Sequence, residues 1–307
     1  MHSLPASGIP HDHPLRMARV RLSLDGLSVG DAFGECFFNP ERIESLLDGR
    51  REAPPAPWPY TDDTEMALGI AEVLEARGAI HQDDLAQVFA RRFLTNPLRG
   101  YGATALKILA KIHRGEPWHK ASREAFGGEG SMGNGGAMRV APVGAYFAED
   151  LPAAVEHARA SAAVTHGHPD GQAGAIAVAV AAAWACQNRD NPNRNIKDMF
   201  DSVLAHTPEG GTRRVLVHAA TLPAAVPATQ AADLLGSGQK VVSWDTVPFA
   251  LWCAARHIDN YTEALWATVS GLGDRDTTCA IVGGIVALAA GPASIPAQWL
   301  AAREPLS

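Results

Sequence analysis

The sequence predicts an all-α fold: a compact, single-domain helical globule with its active site in a cleft formed by loops at helix starts. Two observations predict this class. Apolar residues recur at helical spacing, and strand-like alternation is nearly absent. The 307 residues, 47% of them hydrophobic, are enough for one large core. We therefore expect one domain over 1–307, with 1–20 as a flexible N-terminal segment.

Three segments carry the helical pattern most clearly. One stripe of a helix is formed by Met66, Ile70, Val73 and Leu74. The stretch GQAGAIAVAVAAAWACQN, at 171–188, is apolar nearly all round and predicts a buried central helix. AIVGGIVALAAG follows the same pattern and is predicted to end at Gly291. The polar segment 187–197 predicts a surface loop.

Composition and charge exclude several classes of function. Charged residues make up 19% of the chain and the net charge is −7, so we expect no broad nucleic-acid surface. The most apolar run is too short to span a bilayer, and no export signal precedes it, so we expect no membrane partner and a cytoplasmic location. No CxxC pair suggests a zinc ribbon or a disulfide framework; the scattered cysteines are Cys36, Cys186, Cys253 and Cys279.

A hydroxyl and two adjacent carboxylates stand at the start of the helix that carries the first stripe. TDDTEMALGIAEVL begins at Thr61, and Asp62 and Asp63 follow it. Thr and Asp are preferred residues at helix starts, so capping alone would explain one of them. Taken by itself, this cluster predicts a helix cap.

A second cluster with the same chemistry lies far along the chain. GLGDRDTTCAIVGG again places two carboxylates and a hydroxyl before an apolar helix, at Asp274, Asp276 and Thr277. Capping explains one polar residue at each start, but a second carboxylate adds repulsion unless a cation neutralises it. Two divalent ions would balance four aspartates, and all-oxygen ligands favour Mg²⁺ or Mn²⁺ over zinc. Together the clusters predict a two-metal site that orients substrate oxygens and activates water.

Two further loops contain residues typical of binding sites. GSMGNGGAMR is rich in glycine, which lets backbone amides approach a diphosphate closely, although a plain flexible loop is the alternative. It lacks the Lys-Ser/Thr ending of a phosphate-binding P-loop. THGHPDG places His166, His168 and Asp170 in most of a zinc-hydrolase pattern, but Gly171 stands where the last histidine belongs. A zinc site here is therefore the minor alternative.

These motifs resemble those of a known family. TDDTEMA, GSMGNGGAMRVAP, THGHPDGQAGAIAVA and GDRDTTCAIVGGI resemble, in that order, the successive motifs of the ADP-ribosylglycohydrolase family. GLSVGDAFGE, near the N-terminus, is similar to that family's first motif. Members are all-α enzymes that remove ADP-ribose from modified proteins. The matches run from about residue 26 to residue 290 and cover most of the chain.

The resemblance implies a set of ligand contacts. It implies that two Mg²⁺ or Mn²⁺ ions are held by Thr61, Asp62, Asp63, Asp274, Asp276 and Thr277. It implies that the glycine-rich loop lies against ADP-ribose through Ser131, Met132, Gly133, Asn134, Gly135 and Gly136. Met138 and Arg139 are expected to pack and support. Arg275 departs from the small residue usual in the family, and we expect its side chain to point away from the metals.

The remaining motifs are assigned to the two ends of the ligand. His166 is expected to contact the substrate, while His168 and Asp170 shape the turn and cap the next helix. GQKVVSWDTVPFALW resembles the segment at the adenosine end, so Trp244 is expected to stack on the adenine. A core tryptophan is the alternative.

The implied reaction is hydrolysis at C1″ of the distal ribose, with water as the nucleophile. Glu35 is our candidate for the general base, with Asp31 behind it. In many relatives the glutamate lies a few residues further on, where this chain has Phe37 and Phe38. A metal-binding aspartate acting also as base is therefore the alternative, and the catalytic candidates are Glu35, Asp62 and Asp63.

The expected partner is an ADP-ribosylated protein or a small ADP-ribose conjugate. An arginine-linked conjugate would need a carboxylate to meet its guanidinium, and the acidic chain favours this linkage. The alternatives are an O-linked serine or acetyl conjugate, a binder of ADP-ribose without catalysis, and a metal-dependent hydrolase that cuts the diphosphate.

Overall fold

A computed structural model describes residues 9–306 and confirms the all-α class. In this range the chain forms seventeen α-helices, three short 3₁₀-helices and no β-strand. The α-helices are α1 (His13–Glu35), α2 (Pro40–Leu47), α3 (Asp62–Arg77), α4 (Gln82–Thr95), α5 (Ala103–His113), α6 (Trp118–Arg123), α7 (Gly135–Met138), α8 (Ala141–Tyr146), α9 (Leu151–Ala163), α10 (Pro169–Gln187), α11 (Ile196–His206), α12 (Gly211–Thr221), α13 (Ala228–Leu235), α14 (Ser243–Arg256), α15 (Tyr261–Val269), α16 (Arg275–Ala290) and α17 (Ala297–Ala302). The 3₁₀-helices are Cys36–Phe38, Ala125–Gly128 and Pro292–Ser294.

The three segments with the clearest pattern form the expected helices. The predicted stripe is buried in α3, and the apolar stretch forms α10, whose side chains lie almost wholly inside the core. Helix α16 ends at Ala290, and Gly291 follows with a φ of 84°, a left-handed conformation that glycine adopts without strain. The polar segment connects α10 to α11 as predicted. No helix among residues 9–306 is both long and apolar enough to cross a bilayer.

The N-terminal part of the chain is more ordered than its sequence suggested. Helix α1 begins at His13, and Met17 and Val20 on its first turns are buried. The expected flexible segment is therefore wrong from His13 to Val20, because two apolar side chains at helical spacing pack into the core there. The part of the prediction that covers residues 1–8 lies outside the described residues.

Helices α1 and α16 pack backbone against backbone and run antiparallel. A Cβ atom added at Gly30 would lie 2.2 Å from the Cys279 carbonyl oxygen, and one added at Gly34 would lie 2.2 Å from the Arg275 carbonyl oxygen. Real Cβ atoms do not approach so closely, so only glycine permits this contact. The packing brings the end of α1 against the start of α16, where the second acidic cluster lies.

The segment before α3 is fixed by the C-terminal part of the chain. The Trp58 backbone N–H donates to the Ala302 carbonyl at 2.7 Å, and the Glu304 N–H donates back to the Trp58 carbonyl at 3.0 Å. The Tyr60 N–H donates to the Glu304 carboxylate at 2.8 Å. These bonds satisfy buried backbone groups in a segment without regular structure, and they deliver the chain to Thr61 in one conformation.

Candidate active site

One buried carboxylate on α1 holds the start of α3. Both oxygens of Asp31 lie within hydrogen-bond reach of the Thr61 N–H, at 3.1 and 3.0 Å, and the Thr61 hydroxyl donates at 2.9 Å. The Thr64 N–H and hydroxyl donate at 3.0 and 2.6 Å. Asp31 therefore satisfies amide groups that a helix start leaves without partners. Because its oxygens are fully engaged, Asp31 is a structural group here and not an available base.

The first acidic cluster is both a helix cap and part of a polar centre. The Thr61 hydroxyl accepts the Asp63 N–H at 3.3 Å, so Thr61 is the N-cap residue of α3. Folding also brings the second cluster to the first: the Thr277 hydroxyl, at the start of α16, lies 3.4 Å from an Asp63 carboxylate oxygen. The two acidic helix starts thus share one buried site.

Asp274 in the second cluster is oriented by the glycine-rich loop. The Asn134 side-chain amide donates to the Asp274 carboxylate at 2.6 Å and also lies 3.1 Å from the Thr246 hydroxyl on α14. Asn134 is one of the residues expected to contact ADP-ribose. Its side chain binds one of the acidic groups, and its contact with ADP-ribose stays a prediction.

The centre carries more negative charge than its partners neutralise. One carboxylate oxygen each of Asp63 and Asp276 is buried without a hydrogen-bond partner among residues 9–306. Burial, followed by repulsion from neighbouring aspartates, raises the pKa of both groups well above the usual value. Burial, followed by the negative charge of Asp31, raises the pKa of Asp62 to about 7. Unpartnered buried carboxylate oxygens and hydroxyls are the groups that hard divalent cations neutralise, so this donor set fits Mg²⁺ or Mn²⁺.

The carboxylates do not form a closed cage. No three His, Cys, Asp or Glu side chains in the described part of the chain are grouped closely enough to surround an ion by themselves. The two-ion ligand set stays a prediction that rests on the chemistry of the donors.

A main cleft of about 370 Å³ opens beside Asp62. Its walls come from the start of α5, the glycine-rich loop, the end of α9 and the residues before α14. Among the predicted contact residues, its lining includes Asp62, Ser131, Met132, Gly133, Gly135 and His166. The lining also includes Met138 and Arg139, which were expected to give support only. A bound molecule in this cleft would touch the glycine-rich loop and the acidic centre together.

A second cleft, of about 350 Å³, lies on another side of the same acidic centre and includes Glu35, Thr61 and Asp276. The Glu35 carboxylate forms no hydrogen bond or ion pair with any described residue. Burial, followed by the charges of Asp31 and Asp274, raises the pKa of Glu35. Phe38 is 44% exposed and Leu98 is 96% exposed, so the rim of the cleft is apolar. A free carboxylate and a partly exposed aromatic ring therefore face this space.

The cationic side chains around the second cleft are already engaged. The Arg99 guanidinium stacks 3.9 Å from the centre of the Tyr60 ring and pairs with Glu304. The Arg275 guanidinium lies 4.6 Å from the centre of the Phe38 ring, and no ion pair within residues 9–306 joins Arg275 to an aspartate. Neither arginine neutralises Glu35.

Three residues predicted to contact the ligand are not part of the lining of the main cleft. Asn134 and Gly136 do not line the main cleft, and a Cβ added at Gly136 would lie 3.1 Å from the Ala162 methyl group on α9. Trp244 also lies outside that lining, next to Gly211 at the start of α12. The indole faces the start of α12, so the stacking of Trp244 on the adenine stays a prediction that the lining of the main cleft does not support.

The aromatic group at the mouth of the main cleft is one that the sequence did not reveal. Phe126 lines the cleft, is 60% exposed and has a non-helical φ of 53° within the 3₁₀-helix Ala125–Gly128. A large residue in this left-handed conformation costs free energy that surrounding structure must offset. The available sequence signal was an aromatic residue directly before two glycines.

The histidine motif forms a helix start and no zinc site. His168 caps α10, its Nδ1 accepting the Asp170 N–H at 3.1 Å. The Asp170 carboxylate accepts the Thr212 N–H at 3.2 Å. His166 instead contacts Thr165 and faces the main cleft. Because each side chain has a separate partner, the zinc alternative is not supported, and the capping role predicted for His168 is confirmed.

The fold and the site define an all-α protein with a carboxylate-rich centre between two clefts. The chain belongs to the ADP-ribosylglycohydrolase family, whose model matches residues 12–305. It is 28% identical to the human ADP-ribosylhydrolase ARH3 over 92% of this chain and 88% of that protein. It is 26% identical to the ADP-ribosyl-[dinitrogen reductase] glycohydrolase of Rhodospirillum rubrum, over 90% of this chain and 86% of that protein. A solved structure titled ADP-ribosylglycohydrolase-related protein complex matches with a TM-score of 0.66 and 25% identity, over 94% of this chain and 93% of its own.

Proposed function

We propose that this protein hydrolyses the glycosidic bond between ADP-ribose and an acceptor, most favourably an arginine side chain of a modified protein. The observation that carries the proposal is the position of the acidic centre. Asp62 borders the main cleft, whereas Thr61 and Asp276 border the second cleft. A bond that crosses from one cleft to the other would pass the buried carboxylates of both helix starts.

Two Mg²⁺ or Mn²⁺ ions would be held by the oxygen donors of the two clusters, Thr61, Asp62, Asp63, Asp274, Asp276 and Thr277. The unpartnered oxygens of Asp63 and Asp276 support this assignment, since a cation would stabilise charges that are costly to bury. When bound, such ions supply charge stabilisation at ribose hydroxyls and lower the pKa of water. The protein contributes the fixed spacing of the two helix starts.

The main cleft is proposed to bind ADP-ribose. Backbone groups from Ser131 to Gly135 can approach the diphosphate closely, since glycines at Gly133 and Gly135 leave the loop without side-chain bulk. The exposed ring of Phe126 offers the adenine a flat apolar face in place of Trp244. His166 supplies a polar contact from the wall of the cleft.

The second cleft is proposed to bind the acceptor. A guanidinium group would meet the free carboxylate of Glu35 and could pack against the partly exposed Phe38 ring beside Arg275, the two contacts that recognise arginine best. The stacks of Arg99 on Tyr60 and of Arg275 on Phe38 display the same chemistry within the protein. A serine hydroxyl would leave Glu35 without a charged partner.

The reaction balances with one proton carrier. The oxygen of water forms a bond to C1″ while the bond from C1″ to the acceptor nitrogen breaks, and the electron pair leaves with nitrogen. Glu35 takes the proton from water and delivers it to the leaving nitrogen, a role open to it because no described residue occupies its carboxylate. Asp31 cannot do so, since Thr61 and Thr64 engage its oxygens.

The test is turnover of matched arginine-linked and serine-linked ADP-ribosyl peptides with Mg²⁺ or Mn²⁺ present. We expect free ADP-ribose, released faster from arginine, and a fall of about 100-fold on arginine in Glu35→Gln. Glu41→Gln, an exposed carboxylate on α2, is the matched control and should keep full activity. AMP as product would indicate a diphosphate hydrolase, and preferred release from serine would reverse the acceptor assignment. Binding of ADP-ribose without release from either peptide would indicate a non-catalytic binder.

A further inference from the structure

A fully buried arginine stands at the wall of the main cleft, where the charge of Asp62 acts on it but forms no ion pair with it. Arg139 is 0% exposed, and the ion pairs within residues 9–306 include none to it. Burial lowers the pKa of Arg139 to about 9, and its Nε atom has no hydrogen-bond partner among the described residues. Burying a charge that forms no ion pair is unfavourable for stability. Packing alone would be served better by an apolar side chain.

The contacts of Arg139 form a chain that leads to the ligand-facing histidine. Its guanidinium lies over the Phe89 ring at 4.5 Å, and one amino group donates to the Ser161 carbonyl at 3.0 Å. The same amino group donates to the Thr165 hydroxyl at 2.9 Å. The Thr165 hydroxyl in turn lies 2.8 Å from Nδ1 of His166.

The direction of each bond in this chain can be assigned. A guanidinium only donates, so the Thr165 oxygen accepts from Arg139. The single hydroxyl proton of Thr165 then has Nδ1 of His166 as its acceptor. If Nδ1 carried a proton instead, the buried Thr165 hydroxyl would accept twice and its own proton would find no acceptor in the described structure. The favoured tautomer of His166 has a bare Nδ1 and a proton on Nε2.

The same environment keeps His166 neutral. Burial, followed by the charge of Arg139, lowers the pKa of His166 to about 3. The imidazole therefore carries one N–H at neutral pH. Its Nε2 edge faces the glycine-rich loop, since a Cβ added at Gly133 or Gly135 would lie 3.3 Å from Nε2. No described residue accepts a hydrogen bond from this atom.

We propose that Arg139 is a positioning residue that acts through Thr165 to fix the Nε2–H tautomer of His166. This N–H then points into the main cleft and is always available to donate to an oxygen of the ligand. A histidine without this support would interconvert between tautomers and would present an acceptor part of the time. The ligand identity rests on the proposed binding of ADP-ribose, whose diphosphate and hydroxyl oxygens accept such a bond. The tautomer itself does not depend on it.

Nitrogen-15 NMR of histidine-labelled protein tests the inference directly. We expect His166 to show the neutral Nε2–H pattern at pH 7 and to stay neutral down to about pH 4, since its pKa is about 3. Thr165→Val removes the hydroxyl with little change in shape and should shift His166 toward Nδ1–H. Thr165→Ser keeps the hydroxyl and should retain the wild-type pattern, which makes it the matched control.

Affinity for free ADP-ribose gives the second readout. The dissociation constant should rise about tenfold in Thr165→Val and by a similar factor in Arg139→Met, and it should change little in Thr165→Ser. An Nδ1–H pattern in the wild-type protein, or wild-type affinity in Thr165→Val, would overturn the inference. If wild-type protein shows the Nε2–H pattern but binds no ADP-ribose, the proposed function fails and the assignment of the positioning chain stands.

Discussion

The starts of α3 and α16 carry the same residue types but are held by different means. At α3, Asp31 engages the backbone and hydroxyl groups of Thr61 and Thr64, and Thr61 caps the helix. At α16, Asp274 forms no side-chain cap and its carboxylate is oriented by the amide of Asn134. The hydrogen bonds from Thr61 and Thr64 to Asp31 therefore hold the first start in one position, and we call this set of bonds the frame. The second depends on the glycine-rich loop, which links the geometry of the acidic centre to the loop proposed to bind ADP-ribose.

The largest expected effect comes from the frame at α3. Asp31→Asn replaces one accepting oxygen with an amide that points hydrogens at the N–H and hydroxyl donors of Thr61 and Thr64. We expect the free energy of unfolding to fall by about 3 kcal/mol. Urea denaturation measures it, with the exposed Asp233→Asn on α13 as control. A change below about 0.5 kcal/mol would show that the frame does not hold α3.

The next effect concerns the packing that carries the second start to the first. Gly30→Ala would place a methyl carbon 2.2 Å from the Cys279 carbonyl oxygen, so α1 and α16 would have to separate. A loss of about 2 kcal/mol in unfolding free energy is expected, together with reduced activity. Gly102→Ala is the matched control, because its added Cβ would meet nothing within 4 Å. Equal stabilities of the two variants would contradict the close packing.

A smaller effect is expected from the hydrogen bond by which the glycine-rich loop orients Asp274. Asn134→Ala removes the donor at 2.6 Å, so Asp274 should lose its fixed position while α3 stays intact. We expect kcat/KM to fall about tenfold with the unfolding free energy almost unchanged, which corresponds to one hydrogen bond to a charged group. Asn191→Ala in the surface loop should leave kcat/KM unchanged. A large loss of stability in Asn134→Ala would mean that the second start is also part of the frame.

The smallest effect lies just beyond the other end of α3. His157 on α9 accepts the Ile80 N–H at 3.3 Å and stacks on Phe147. Burial, followed by the charge of His81, lowers the pKa of His157 to about 4. The unfolded chain takes up this proton near pH 6.5, so the stability that His157 contributes is complete above pH 6.5 and is lost as pH falls toward 4.

Between pH 7 and 5.5 this group should remove about 1 kcal/mol from the unfolding free energy. The His157→Phe variant keeps a ring against Phe147. Between pH 7 and 5.5 its unfolding free energy should fall by about 1 kcal/mol less than that of the wild-type protein. Urea denaturation at each pH gives the comparison. Parallel curves for the two proteins would mean that His157 is accessible to protons in the folded state.

Much of the fold followed from local patterns. The stripe that includes Met66 and Ile70 predicted α3, and the alanine-rich stretch predicted α10, because burial on one or all faces leaves a periodic trace in the sequence. The paired acidic motifs also predicted that Asp63 and Thr277 would meet. The order of α1 near His13 was missed, since a short stretch with few apolar residues gives a weak periodic signal.

What the sequence could not predict depends on long-range packing. The hydrogen bond between Asp31 on α1 and Thr64 on α3 joins two helices, and no local sequence pattern reveals that they are in contact. Trp244 was assigned to the adenine because its type suits stacking, but the direction of a side chain is set by its neighbours in the fold. The exposure of Phe126 and the burial of Arg139 are likewise properties of the folded chain.

The central claim is that the two acidic helix starts form one cation-dependent site for releasing ADP-ribose. The most direct test is to remove divalent ions from the wild-type protein and from Asp276→Asn, then to titrate Mn²⁺ while following both bound metal by electron paramagnetic resonance and released ADP-ribose. We predict two Mn²⁺ per wild-type chain, no release in EDTA, and release that returns with occupancy. In Asp276→Asn we predict weaker Mn²⁺ binding and no recovery of release, with the helix content unchanged. Full release by the wild-type protein in EDTA, or wild-type Mn²⁺ binding in Asp276→Asn, would contradict the account.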